Sequence, residues 1–241
     1  MPWSSDRGRP LVLAHRGASA RCLENTAAAF AAARADGADG VELDVRPTGD
    51  RGTAVLHDAD LVRVAGRPER VADLTVAELR RIALVDGSRA LSLDDAIDLV
   101  AGMLVNVEIK VDGAVDAGWV AAVARRVADR LGDRAVVSSF RAAAVAVVRA
   151  AAPRVRAGLL VGAGAGYARR RGWPGPVLRP WSIHPHHELV TADAMRRWRR
   201  RGWRVVTWTA DGATELRRLR RLGVDAVIAN DPAAALRALA S

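Results

Sequence analysis

Lysine and cysteine are almost missing from this chain. Among 37 basic residues only Lys110 is lysine, and Cys22 is the single cysteine. One thiol excludes an intramolecular disulfide framework and any zinc site built from several cysteines, and it fits a reducing compartment. Aromatic residues make up 4% and do not interleave with the arginine runs as a base-stacking surface requires. No apolar stretch approaches the length that spans a bilayer, and residues 1–10 hold no apolar leader core. The expectation is a cytoplasmic protein without stable membrane insertion and without a nucleic-acid partner.

The 241 residues are half hydrophobic, enough for one sizeable core, and the formal charge of +10 favours anions such as phosphates, nucleic acid or acidic lipid. Runs such as Arg196, Arg197, Arg199, Arg200 and Arg201 read as solvated helix faces. Lys110 differs from them. Where the composition otherwise takes arginine, a retained ammonium on a flexible stem suits a single phosphoryl oxygen in a crowded pocket.

Short β-branched runs alternate with longer stretches of alanine, leucine and arginine. The patterns predict strands at 11–14, 40–45, 105–110, 135–139, 155–161, 178–183, 204–208 and 225–229. They predict helices at 26–35, 115–131, 142–151, 192–201, 213–222 and 232–239. Eight such units in this length argue an α/β fold, a closed (β/α)₈ TIM-type barrel, occupying residues 1–241 as one domain. A ninth run, 53–56, follows the second strand too closely for a parallel crossover, so a hairpin insertion after that strand is expected, turning at Gly49 and Gly52. A register centred on that turn brings His57 roughly opposite Glu42. Residues 59–100 then supply helical cover, with Thr75 and Glu78 forming a capping box and Ser92 capping the helix through Leu99.

In such barrels the chemistry lies at the carboxyl ends of the strands. There the sequence puts His15 and Arg16, then Glu42 and Asp44 at i and i+2, then His57 with Asp58, then Glu108 and Lys110 at i and i+2. Residues two apart on a strand face the same side. Three inward carboxylates repel one another unless a cation joins them, and all-oxygen ligation favours Mg²⁺ or Ca²⁺. Two histidines of near-neutral pKa suit an acid/base pair. Taken singly, either imidazole reads as a hydrogen-bonded core residue; their coincidence at one end of three strands argues for a site.

The ordered series of motifs resembles the glycerophosphodiester phosphodiesterases. It comprises Ala14-His15-Arg16-Gly17, Glu24-Asn25-Thr26, Gly40-Val41-Glu42-Leu43-Asp44-Val45, Thr48-Gly49-Asp50, His57-Asp58 and Val107-Glu108-Ile109-Lys110. Ser138-Ser139-Phe140, Val206-Thr207-Trp208-Thr209 and Asp231-Pro232 complete it, so the likeness runs over residues 11 to about 235. The resemblance implies metal-dependent hydrolysis of small-molecule phosphodiesters such as glycerophosphocholine to sn-glycerol 3-phosphate and an alcohol. It implies His15 and His57 as the acid/base pair and Glu42, Asp44 and Glu108 as ligands of a divalent cation. Arg16 and Lys110 become phosphate binders, with Phe140 and Trp208 as walls of the substrate site. Leu23 stands where the family usually has proline, Arg51 follows Asp50 in place of glycine, and Trp208-Thr209-Ala210-Asp211 lacks the family's asparagine.

Two other readings stay open at this point. One is a phospholipase D-like enzyme for lysolipids or sphingolipids, which needs an exposed apolar approach to the mouth. The other is a basic barrel that binds anions or nucleic acid without catalysis. Among further signals, residues 162–166 read as a glycine-rich loop on the active face. His184 is expected to edge the pocket, with His186 and His187 solvated. Trp119, Trp198 and Trp203 read as packing residues, and Cys22 as inert.

Overall fold

Alternation with period two assigns each strand residue to one face, and the computed structural model, which describes residues 2–3 and 8–240, shows where the faces go. Among the described residues, eight parallel strands close into a barrel. They are β1 (Leu11–His15), β2 (Gly40–Pro47), β3 (Leu104–Ile109), β4 (Ala135–Ser139), β5 (Arg156–Val161), β6 (Ser182–Pro185), β7 (Arg204–Thr207) and β8 (Ala226–Ala229). Each pairs with the next, and β1 closes on β8 with Leu11 opposite Ala226. The fold is the expected TIM-type barrel.

One set of alternate residues fills the barrel: Leu11, Leu13, Leu104, Val136, Val206, Ala226 and Ile228 form a buried cluster with Trp3. The other set, including Val41, Leu43, Val105, Val107 and Val137, packs with Val120, Val123 and Val127 of the helix Ala117–Leu131. Burying a residue of this size stabilises by roughly 1.5–3 kcal/mol, so each strand is locked in register by both faces. One step above the apolar filling, the same inward face turns polar at His15, Glu42, Asp44, Asn106, Glu108 and Ser138.

The caps at Thr75 and Ser92 are as expected, and Thr26, counted inside its helix, is a third. Thr26 accepts from the Ala29 amide at 3.2 Å to start the helix Ala27–Ala35. Thr75 and Glu78 form a capping box, and Ser92 forms one with Asp95 at the head of the helix Leu93–Leu99. The sixth strand departs from expectation. It begins at Ser182 rather than residue 178, because Gly175–Leu178 makes a short helical turn and Pro180 has no amide hydrogen for a ladder. The cover over residues 59–100 is also less helical than expected. It consists of two four-residue helices (Val62–Ala65 and Val76–Leu79), a 3-10 turn at Val71–Asp73, a ribbon pairing Asp60–Leu61 with Arg67–Arg70, a short strand Leu91–Ser92 beside Thr53–Val55, and the helix Leu93–Leu99.

The segment Thr53–Val55 lies antiparallel to β2, with Val45 opposite Val55 and Pro47 opposite Thr53. Extended by two residues, that register sets His57 against Leu43, one residue away from the expected Glu42. No helix among the described residues is long and apolar enough to cross a membrane.

Candidate active site

The turn after β1 is built for close approach. Gly17 has φ +84°, and a β-carbon there would lie 2.6 Å from Ala29, so glycine alone fits between turn and helix. Arg16 and Asn25 are also left-handed, at φ 56° and 57°, and their strain is held by two backbone bonds. Arg16 N donates to Glu42 O at 2.8 Å, and Asn25 N donates to Arg16 O at 2.8 Å. This turn aims Arg16 across the barrel mouth.

Glu42, Asp44 and Glu108 converge as the period-two spacing requires, each offering an oxygen within 4.8 Å of the others, all buried. Arg16 Nε lies 3.1 Å from Asp44 Oδ2, and Lys110 Nζ lies 3.0 Å from Asp44 Oδ1 and 2.6 Å from Glu108 Oε1. Asn25 Nδ2 adds a hydrogen bond to Asp44 Oδ2 at 3.0 Å. Glu42 Oε1 is buried with no hydrogen-bond partner among the described residues. Three carboxylates thus face two cations, with one oxygen unmatched. Such a donor set is able to hold a hard divalent cation.

The charges respond accordingly. Burial, then Asp44 and Glu108, push Glu42 well above the usual carboxylate range, against Arg16 and Lys110. Glu108 is raised to about 7 by burial first and by Asp44, with Lys110 opposing. Burial also acts to raise Asp44, but Lys110, Arg16 and His57 outweigh it and hold it low. Burial works against the Lys110 ammonium, yet Asp44 and Glu108 raise its pKa.

Both imidazoles are oriented. His15 Nδ1 lies 2.7 Å from Asn230 Oδ1, and its Nε2 lies 3.9 Å from Glu42 Oε2. Asn230 is itself fixed, because its amide Nδ2 and backbone N donate to the two oxygens of Asp211, each at 2.7 Å. A carboxylate only accepts, so the amide presents Oδ1 to His15, and His15 carries its proton on Nδ1. Burial and Arg16 lower the His15 pKa. His57 Nδ1 bonds Asp58 Oδ1 at 2.7 Å. Asp58 is lowered to about 2 despite burial, chiefly by its bond from Arg63 and then by His57. Arg63 also clamps Glu24, which pairs with Arg16 at 3.0 Å. Burial, with Lys110 and Arg16, lowers His57.

A cleft of about 450 Å³ opens beside His15 and Arg16, lined also by Glu24, Asp211 and Asn230. A smaller hollow of about 180 Å³ reaches Lys110 from the side of Arg46 and Asp112. Phe140 and Trp208 meet edge to face at 5.5 Å, and His186 meets Trp208 at 5.3 Å.

His184 does not edge the pocket. It is fully buried, bonded to Ser182 Oγ at 2.7 Å, with its pKa lowered to about 3 by burial. His187 is paired with Glu215 at 2.9 Å rather than simply solvated. Among the described residues the acidic trio is the one group with metal-ligand spacing. Trp119, Trp198 and Trp203 are buried packing residues. Sequence patterns missed Asn230, Asp211, Arg63 and Glu24 as orienting residues, since Asn230 meets His15 across 215 residues and Arg63 meets Glu24 across 39.

A closed parallel barrel with carboxylates, imidazoles and two cations at its strand ends defines a TIM-barrel enzyme. The model of the glycerophosphoryl diester phosphodiesterase family matches residues 15–234. A glycerophosphodiester phosphodiesterase of Caldanaerobacter subterraneus subsp. tengcongensis is 29% identical, over 93% of this chain and 95% of its own length. The crystal structure of a glycerophosphodiester phosphodiesterase from Thermotoga maritima superimposes with TM-score 0.77 at 28% identity, covering 95% of this chain and 97% of that one. An Oleispira antarctica phosphodiesterase, solved with its product sn-glycerol-3-phosphate, shares the fold at TM-score 0.87 and 24% identity, covering 97% and 98%. The chain belongs to the glycerophosphoryl diester phosphodiesterase family, and so to the phosphoric diester hydrolases.

Proposed function

We propose that this protein hydrolyses glycerophosphodiesters such as glycerophosphocholine to sn-glycerol 3-phosphate and an alcohol, within one barrel domain over residues 1–241. His15 and His57 form the acid/base pair, and Glu42, Asp44 and Glu108 hold Mg²⁺ or Ca²⁺. Arg16 and Lys110 neutralise the phosphate, while Phe140 and Trp208 wall the substrate. The observation that carries the reading is the convergence of three buried carboxylates beside an imidazole whose Nε2 faces Glu42 at 3.9 Å, beyond hydrogen-bond distance.

Charge balance supports it. Three carboxylates and a phosphodiester monoanion match Arg16, Lys110 and one divalent cation. A cation held there would polarise a phosphoryl oxygen as a Lewis acid. The chain's own residues do the rest. Arg16 and Lys110 oppose charge that builds on the phosphoryl oxygens, and each such donor is worth about 10²–10³ in rate. With Nδ1 protons committed to Asn230 and Asp58, the Nε2 atoms of His15 and His57 exchange protons with the attacking and departing oxygens. A cytoplasmic location belongs to the same reading, supported by the single cysteine.

Metal-stripped protein assayed on glycerophosphocholine should be inactive and recover when Mg²⁺ or Ca²⁺ is restored. His57→Ala and Glu42→Ala should each lose at least about 10² in kcat while keeping the circular dichroism of the folded barrel. Near wild-type turnover in either variant would end the assignment. Faster choline release from lysophosphatidylcholine than from glycerophosphocholine would favour the phospholipase D-like reading instead.

A further inference from the structure

Charge is distributed unevenly along this chain. Residues 134–187 carry nine arginines and no aspartate or glutamate, so they hold nearly all of the formal +10. The connection from β5 to β6 lies within that stretch. In place of a long amphipathic helix it has two four-residue helices, Tyr167–Arg170 and Gly175–Leu178.

Its inner side is seated on the protein body. Gly172 and Gly175 lie against the Trp203 indole so closely that a β-carbon would come within 2.6 and 2.3 Å of ring atoms. Its outer side mixes apolar and cationic residues. Tyr167, Trp173 and Val177 are 77%, 55% and 71% exposed, and they account for half of the large hydrophobic side chains exposed among the described residues. Scattered single exposures need no explanation, but three on one segment do.

Arginines intersperse these side chains, and no carboxylate among the described residues neutralises them. Arg169 donates to the Phe140 carbonyl at 2.8 Å, and Arg170 to the carbonyls of Ala163 and Ala165 at 2.9 and 2.6 Å. Arg171 lies 5.3 Å from the Tyr167 ring centroid, and the Arg179 guanidinium has no partner among the described residues.

Indole and phenol rings settle at the headgroup level of a bilayer. Each nearby arginine strengthens attraction to an acidic lipid surface by about fivefold. A nucleic acid would answer the charge, but it gains little from aliphatic Val177, and stacking calls for a row of rings along a groove. We propose that this face docks the protein peripherally on anionic phospholipid bilayers. Tyr167, Trp173 and Val177 enter the headgroup layer, and Arg169, Arg170, Arg171 and Arg179 face lipid phosphates. The bond from Arg169 to Phe140 ties this segment to the wall of the candidate active site, so docking would hold the mouth close to lipid-derived diesters. The surface does not depend on the catalytic assignments, and its test uses no turnover.

Full-length protein is sedimented with vesicles of phosphatidylcholine alone and of phosphatidylcholine mixed with phosphatidylglycerol. Binding is expected to the mixed vesicles, with a blue shift in tryptophan emission that Trp173→Ser removes. Tyr167→Ser/Trp173→Ser should weaken binding at least about tenfold, and Arg170→Gln/Arg179→Gln by about 25-fold. These side chains are exposed, so unchanged circular dichroism controls for folding. Equal binding to both vesicle types would overturn the proposal. So would insensitivity to the aromatic substitutions, or tighter binding to single-stranded DNA than to the acidic vesicles, which would mark a general polyanion surface.

Discussion

His15 can offer a lone pair at Nε2 only while its other nitrogen keeps a proton. That proton is held by Asn230, whose amide is oriented in turn by Asp211 at 2.7 Å. The imidazole therefore depends on a side chain with no hydrogen bond to Glu42, Asp44 or Glu108. Asn230→Leu leaves the space filled but removes the acceptor, freeing the ring to turn and to change tautomer. In the catalytic reading, kcat should fall by on the order of 10² with KM little changed, as expected when a reacting group is misaligned while substrate affinity is kept. Asp211→Asn should cost less, because an amide can still accept one of the two bonds. Steady-state kinetics on a glycerophosphodiester checks both, and the ¹⁵N spectrum of His15 should show Nε2-protonated imidazole in Asn230→Leu alone. Asn230 and His15 are 215 residues apart and meet only because β1 closes on β8. No local spacing could have announced that contact. Glu42, Asp44 and Glu108 were legible because a two-residue interval on a strand already fixes a shared face.

Two helix starts separate stability from function at the scale of elements. Ser92 and Asp95 cap Leu93–Leu99, a helix that packs on the outer layer. Thr26 caps Ala27–Ala35 directly after the turn that carries Arg16 and Asn25, and its own hydroxyl donates to Leu23 O at 2.7 Å. Replacing either cap by alanine should destabilise by about 1 kcal/mol, read as a lowered urea midpoint. Ser92→Ala should leave turnover unchanged. Thr26→Ala should also reduce it, since Asn25 and its bond to Asp44 sit beside the loosened cap. Equal activity in both variants would show that the turn is held by Gly17 packing alone. The Ser92 cap was readable from a serine at the head of an apolar repeat, whereas Thr26 was counted inside its helix, which begins one residue later at Ala27. Strand β6 was not readable, since Leu178 and the apolar residues around it suit a helical turn as well as a strand, and only Pro180 separates the two outcomes.

Among the several groups that link the stability of the barrel to pH, His184 and Glu108 act in opposite directions. His184 is neutral in the fold, its pKa lowered to about 3 by burial, whereas an unfolded histidine titrates near about 6.5. Below pH 6.5 the unfolded chain binds a proton that the folded barrel refuses, so this residue removes stability as acid is added, levelling off near pH 3. Glu108, raised to about 7 in the fold by burial and Asp44, works the other way. Its folded form takes up a proton first, so its penalty is fully present above pH 7 and lifts as pH falls toward the unfolded value near about 4.3. A cation at the carboxylates would hold Glu108 ionised and remove that compensation, so the measurement belongs in chelator. Comparing wild type with His184→Gln cancels Glu108 and isolates the imidazole. The stability advantage of wild type over the variant should shrink by about 1.4 kcal/mol per pH unit from pH 6.5 toward pH 3, followed by urea unfolding at successive pH values. A difference independent of pH would mean that water reaches the barrel interior and protonates His184 there.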